Sequence, residues 1–116
     1  MRTSHKDPGP IQRVFGDTGI ARILDFLTVY REFDYSMADV ARNSGLGKMT
    51  VARAWPTLER YGLVRETRKE GKARMYKLSQ TKVARLVEQL ALQVASLDAD
   101  LLVKREPQQV RPIQSR

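Results

Sequence analysis

The chain has 116 residues, with 21 lysines and arginines against 13 aspartates and glutamates, and a formal net charge of +8. This length fits one domain with tails, and the positive charge favours a polyanionic partner. The absence of cysteine excludes disulfides and thiolate metal sites, and no stretch approaches the roughly 20 apolar residues of a membrane span.

The first predicted segment, residues 1–13, contains Pro8-Gly9-Pro10 and scattered charge, so we expect a flexible N-terminal arm. His5 would be a solvated residue of that arm. Val14 and Phe15 are expected to fold onto the core.

The first helix is predicted to begin after Asp17 or Thr18, either of which can cap it. Its apolar residues cover so much of its circumference that more than one neighbouring element should bury it. The main apolar stripe is Ile20, Ile23, Leu24, Leu27 and Tyr30.

A helix, a turn and a second helix are predicted over residues 36–61. Ser36 is a candidate N-cap, and Asp39 three residues later makes an imperfect capping box. Gly45 is expected to end the first of these helices, because glycine reaches left-handed backbone angles at little cost.

The second of these helices opens at Gly47 or Lys48 and turns an apolar face to the core, including Trp55. Its outer face is basic or small, which suits the DNA major groove. Arg53 is the candidate for bidentate contact with a guanine, and Pro56 should kink the helix. The candidate DNA-binding residues of this helix are Lys48, Met49, Thr50, Ala52 and Arg53.

A hairpin is predicted next, with strands at residues 63–67 and 73–78 and Gly71 at its tip. Residues 65–77 hold six basic and two acidic side chains, so the hairpin could follow a DNA backbone or enter a minor groove. Alternatively, the charge only prevents edge-to-edge strand pairing. The candidate DNA-binding residues here are Arg68, Lys69, Lys72 and Arg74.

The last helix, in region 80–105, should open at Ser79 or Thr81 and run to about residue 104. Apolar residues repeat alternately four and three positions apart, as in a coiled coil, which predicts a dimerisation helix, parallel or antiparallel. Packing on its own domain alone is the alternative. The predicted interface residues are Val83, Val87, Leu90, Val94, Leu97 and Leu101. A small-molecule pocket between this helix and the core stays open, and residues 106–116 read as a flexible basic tail.

Three segments together resemble one family. Residues 45–53 (GLGKMTVAR) followed by 58–64 (LERYGLV) resemble the helix-turn-helix of winged-helix transcriptional regulators, broadly of the MarR/ArsR type. Residues 71–79 (GKARMYKLS) resemble the wing of that family and its return strand. The resemblance covers about residues 19–79. It implies an α+β, mostly α fold: a winged helix-turn-helix domain at residues 14–79, a two-stranded wing, a small edge strand near Tyr35 and a long C-terminal dimerisation helix.

No catalytic or metal-binding constellation can be assembled from these residues, so we predict neither an enzyme nor a cofactor. The expected function is that of a homodimeric, double-stranded-DNA-binding transcriptional regulator in the cytoplasm, associated with the nucleoid. Helix 48–61 would read the major groove, and wing 65–77 the backbone or minor groove. Two alternatives remain: an architectural chromatin or DNA-segregation protein of low sequence specificity, and a winged-helix protein–protein interaction module.

Overall fold

The computed structural model describes residues 7–105, with side chains to residue 103. His5, the beginning of the predicted arm and the predicted tail at 106–116 therefore lie outside the described residues. The elements are α1 (Pro10–Phe15), α2 (Gly19–Val29), α3 (Met37–Ser44), α4 (Lys48–Arg60), β1 (Val64–Glu70), β2 (Ala73–Leu78) and α5 (Lys82–Arg105). The predicted α+β, mostly helical fold class is confirmed.

Helix α1 occupies positions that we expected to be flexible. Pro10 stands at its start, where the missing N–H of proline costs no hydrogen bond. The carboxylate of Asp25 on α2 accepts hydrogen bonds from the backbone N–H groups of Ile11 at 2.8 Å and Gln12 at 3.0 Å. Ile11 is buried. The structure thus corrects the arm boundary: residues 10–13 are ordered because α2 supplies the cap of α1.

The expectation for Val14 and Phe15 is also corrected. Both share a face of α1 with Ile11, three and four residues further on. Only the first turn of that face reaches the core, however, and the side chains of Val14 and Phe15 are 51% and 64% exposed. They leave an apolar patch at the surface.

Helix α2 lies at the centre of the domain and packs against α1, α3, α4, α5 and β2. Its predicted cap is confirmed at Thr18, whose hydroxyl accepts a hydrogen bond from the N–H of Ala21 at 3.1 Å. The prediction that several neighbours bury this helix is confirmed as well. The largest fully buried side chains of the core are Ile23, Leu27, Val40, Val51, Trp55 and Leu58.

The predicted turn between α3 and α4 is confirmed in detail. Ser36 and Asp39 form a complete capping box at the start of α3, with hydrogen bonds of 3.1 and 3.2 Å. Gly45 ends α3 with a φ of 70°, which only glycine reaches without strain. Helix α4 then runs through Pro56 to Arg60, so the proline does not end the helix, and the kink stays a prediction.

The wing is an antiparallel hairpin whose register shifts once. Glu66 pairs with Tyr76 and Arg68 pairs with Met75, which leaves Thr67 as the extra residue of a β-bulge. The predicted edge strand is present as a bridge in which Tyr35 and Tyr76 exchange backbone hydrogen bonds of 2.7 and 2.8 Å. The ring of Tyr76 also meets Trp55 edge-on at 5.1 Å. Trp55 is a core residue, as predicted, but its indole N–H has no acceptor in the described part of the chain.

Helix α5 begins where predicted, because the Thr81 hydroxyl accepts from the N–H of Ala84 at 3.1 Å and donates to the carbonyl of Gly62 at 2.6 Å. Ala84 and Ala91 are buried against the domain. Two ion pairs hold the same side: Arg31–Glu88 at 2.7 Å and a pair between Arg13 on α1 and Asp98. Among the described helices, including α5, none is apolar enough over a sufficient length to cross a bilayer.

Candidate nucleic-acid interface

The start of α4 is held in place by Arg22 on α2. The Arg22 guanidinium donates to the carbonyl of Ser44 at 3.2 Å, in the turn that precedes α4. It also makes two hydrogen bonds to Asp17, of 2.7 and 3.0 Å. These bonds lower the pKa of Asp17 and raise that of Arg22. The same guanidinium lies 3.5 Å from the carbonyl of Gly45, so two carbonyl groups of the turn are held by α2 at the start of α4.

Helix α4 separates two faces sharply. Val51, Trp55 and Leu58 are buried, whereas all five predicted DNA-binding residues of this helix are exposed. The side chains of Lys48 and Arg53 make no hydrogen bond or ion pair within residues 7–103. Met49, next to them, exposes 66% of its surface. The face thus offers two unneutralised cations and an apolar side chain; its contact with DNA remains a prediction.

Thr50 also takes part in packing. A Cβ atom added at Gly19, the first residue of α2, would lie 3.0 Å from the Thr50 methyl group. A side chain at position 19 would push against α4. Gly19 therefore permits the close approach of α2 to α4, and Thr50 combines a packing methyl with an exposed position.

The four predicted wing residues fall into two groups. Lys69 and Lys72 are exposed and make no ion pair with any described residue. Arg68 instead pairs with Asp34 and Glu70, and Arg74 pairs with Glu66 at 3.4 Å. The wing lysines are therefore the free cations of the predicted set.

Two residues of this surface, Asp34 and Arg65, were not among those predicted from the sequence. Asp34 lies in the segment before α3, 34 positions from its partner Arg68, and no local pattern connects the two. Arg68 and the Thr67 hydroxyl hold the pKa of Asp34 below its usual value. Arg65, at the start of β1, is exposed without an acidic partner in the described range. Arg65 was counted among the six basic residues of the hairpin, and this charge could have identified it as a candidate DNA-binding residue.

Other chemistry is sparse. Residues 7–105 contain no group of three or more histidine, cysteine, aspartate or glutamate side chains placed to hold a metal ion. An open cavity of about 300 Å³ lies between α2 and α5, where a pocket was considered. Its lining is mostly apolar, with the Arg31–Glu88 ion pair at one side. The lining includes Pro10, Thr28, Val29, Ala91, Leu92 and Ala95.

No protein-family model and no curated protein matches the chain. Solved structures do. MepR, a transcription regulator of the Staphylococcus aureus multidrug efflux pump MepA, is 18% identical with a TM-score of 0.62, over 82% of this chain and 72% of MepR. A MarR-family transcriptional regulator from Silicibacter pomeroyi is 17% identical with a TM-score of 0.61, over 83% of this chain and 66% of that protein.

A third solved structure contains DNA. The transcriptional repressor CouR, bound to a 23-mer DNA duplex, is 17% identical with a TM-score of 0.54. The match covers 73% of this chain and 61% of CouR, so this chain spans less than two thirds of that repressor. At these identities the likeness establishes the fold. The chain has the winged-helix fold of MarR-family transcription regulators.

Proposed function

We propose that this protein is a homodimeric, double-stranded-DNA-binding transcriptional regulator that recognises a specific sequence. The observation that carries the proposal is the outer face of α4, where Lys48 and Arg53 are exposed and unneutralised on a winged-helix fold. That fold is shared with MarR-family regulators and with CouR in its DNA-bound structure. A cationic helix face of this kind is suited to a major groove.

Each residue of the α4 face has a role that its chemistry supports. Lys48, at the first position of the helix, would contact a phosphate together with Thr50. Arg53, five residues further along the helix, would reach base edges and form two parallel hydrogen bonds to a guanine. Met49 and Ala52 would contact thymine methyl groups. Phosphate contacts would set the register, and Arg53 would supply most of the sequence discrimination.

The wing would add contacts beside the major groove. Lys69 and Lys72 are its free cations, and they flank the turn at Gly71, whose φ of 65° brings the strands back on each other. A flexible ammonium group acts as a point charge, which favours phosphate over base contact. The wing would therefore raise affinity for all duplexes alike.

Dimerisation through α5 is supported by its uncovered apolar residues. Of the six predicted interface residues, Val83, Leu97 and Leu101 are exposed, and Val87, Leu90 and Val94 are half-buried. The helix has 24 residues, a length of roughly 36 Å, and Leu97 and Leu101 stay exposed although Asp98 between them is paired with Arg13 of α1. Val14 and Phe15 of α1 add exposed apolar surface. Patches of this kind mark protein interfaces, and a second copy of the chain fits the heptad spacing.

The same proposal places the protein in the cytoplasm, associated with the nucleoid, and without enzymatic activity or cofactor. MepR and the Silicibacter pomeroyi protein, which share its fold, are transcription regulators. A regulator of this type needs only to bind DNA and to hold two reading helices at a fixed separation.

Selection of bound sequences from a random duplex pool tests the proposal. Affinities for selected and random duplexes should then be measured over a salt series, with the oligomeric state determined alongside. We expect a dimer, a two-fold symmetric consensus and a specificity ratio of at least about 10³. A ratio near one, with a steep salt dependence, would favour the architectural chromatin alternative. A protein that ignores duplex DNA at low salt would favour the protein-interaction alternative.

A further inference from the structure

We propose that Asp34 is a positioning residue for DNA binding: it clamps the base of the wing so that Lys69 and Lys72 reach the duplex. This inference rests on the proposed function and deepens it. Asp34 would not touch DNA itself. It would act through Thr67 and Arg68, the two β1 residues at the bulge.

One carboxylate receives all the contacts of the clamp. The Arg68 guanidinium donates from Nε to Oδ2 at 3.0 Å and from Nη2 to Oδ1 at 3.1 Å, a bidentate pair. The Thr67 hydroxyl donates to the same Oδ2 at 2.5 Å. Bidentate arginine–carboxylate pairs fix geometry as well as charge. Asp34 is also sheltered, because its side chain is 17% exposed, compared with 64% for Glu70, the other partner of Arg68.

The clamp lies where the wing changes direction. Thr67 is the extra residue of the bulge in β1, and a bulge bends a strand and turns the side chains beyond it. Asp34 precedes Tyr35, whose backbone is bonded to Tyr76 of β2. Asp34 is therefore tied to β2 through its chain neighbour and to β1 through its side chain. The hairpin end that carries Lys69 and Lys72 projects from this fixed point.

Arg68 is thereby assigned to the clamp and not to a phosphate. The two nitrogens of its guanidinium that face Asp34 are occupied, and the third nitrogen contacts Glu70 at 3.2 Å. The cations available to DNA at the hairpin end are the two lysines.

Charge repulsion and the proposed clamp predict opposite changes in DNA affinity when Asp34 is replaced. A carboxylate near DNA repels phosphates, so its removal should strengthen binding if charge is all that matters. Removal of a clamp should instead weaken binding, because the wing lysines would lose their fixed position. The sign of the change in affinity separates the two.

The test compares Asp34→Asn with Glu70→Gln, a matched control on the same hairpin that also removes one negative charge beside Arg68. Affinity is measured on a selected duplex over a salt series. We expect Asp34→Asn to weaken binding and to reduce the salt slope by about 2, as loss of two lysine–phosphate contacts would. Glu70→Gln should bind as tightly as the unsubstituted protein or more tightly.

Combined variants distinguish positioning from a general loss of stability. Lys69→Ala/Lys72→Ala should weaken the unsubstituted protein but have little further effect in the Asp34→Asn background. Arg53→Ala should weaken both backgrounds by the same factor. If Asp34→Asn fails to fold, judged by its circular dichroism, Thr67→Val removes one hydroxyl of the clamp and should give the same pattern with a smaller loss.

Three outcomes would overturn the role of Asp34. The first is an Asp34→Asn variant that binds DNA as tightly as Glu70→Gln. The second is a loss of affinity from Lys69→Ala/Lys72→Ala that is as large in the Asp34→Asn background as in the unsubstituted protein. The third is a Thr67→Val variant with an unchanged salt slope. If the unsubstituted protein bound no duplex at low salt, the proposed function would fail, and the role of Asp34 with it. Duplex binding by the unsubstituted protein therefore distinguishes a failure of the Asp34 proposal from a failure of the proposed function.

Discussion

Asp25 decides where the N-terminal helix lies. Its carboxylate is buried, and it caps α1 through the N–H groups of Ile11 and Gln12. Gly9 makes this approach possible, because a Cβ atom there would come within 2.3 Å of the Asp25 Cγ. A buried polar group from one helix thus replaces the local cap that the other helix lacks.

Replacement of Asp25 by alanine should lower the free energy of unfolding by about 1–3 kcal/mol, because two N–H groups lose their acceptor. Chemical denaturation measures the change, and hydrogen exchange should show faster exchange in α1. Asp100→Ala, at an exposed position of α5 without a partner in the described chain, is the control and should change stability by less than about 0.5 kcal/mol. Equal stability of the two variants would show that the cap contributes nothing.

The pH dependence of this loss has a definite sign. Burial is the largest cause that raises the pKa of Asp25 above its ordinary value of 3.8. The folded state therefore holds this proton more tightly than the unfolded state. The stabilising contribution is fully present below the unfolded pKa and declines as pH rises through the folded pKa. The stability difference between the unsubstituted protein and Asp25→Ala should thus be larger in mild acid than at neutral pH.

At the scale of elements, local signals predicted what depends on neighbouring residues. The capping box of Ser36 and Asp39 and the left-handed turn at Gly45 each need only a few consecutive residues, and both were predicted. Helix α1 was missed because its cap comes from Asp25, 14 positions away. The division of the wing cations was missed for the same reason, since the partner of Arg68 is distant in sequence.

Helix α5 has two sides with different tasks. Ala84 and Ala91 are small and buried, which brings the helix close to the domain. Leu97 and Leu101 are 59% and 62% exposed, and they lie four positions apart on one face. This exposed face is the one that the proposed dimer would cover.

Replacement of Leu97 and Leu101 by serine should weaken the dimer. Each buried leucine contributes about 1.5–3 kcal/mol, so the dissociation constant should rise by at least about 100-fold. Sedimentation equilibrium measures this constant. Leu92→Ser is the control, because Leu92 is 56% exposed but lies about 140° around the helix from Leu97. An equal rise in the dimer dissociation constant for Leu92→Ser and for the double variant would contradict a dimer interface on the face of Leu97 and Leu101.

At the scale of the whole molecule, the described chain is elongated, with extents of 55, 30 and 22 Å. A dimer joined along α5 would hold two copies of α4 at a fixed separation. Two-fold proteins that read DNA with such helices bind half-sites about one helical turn apart, or a multiple of it. Two-fold symmetry of the bound sequence is therefore the expected counterpart of the dimer.

The likeness to regulators at 17–18% identity establishes the architecture, whereas the proposed DNA-binding face depends on the residues of this chain. Lys48 and Arg53 are the part of that face that both the sequence and the geometry support. They were predicted from helical spacing, and the structure leaves them exposed and unpaired.

The most direct measurement is the dissociation constant of a selected duplex for the unsubstituted protein, Lys48→Ala/Arg53→Ala and the control Arg85→Ala, at one low salt concentration. Arg85 is an exposed, unpaired arginine on α5. We expect Arg85→Ala to bind normally. The double variant should lose about 1–3 kcal/mol of binding free energy or more, and it should discriminate less between duplexes. Unchanged affinity and selectivity of the double variant would contradict the placement of α4 in the major groove.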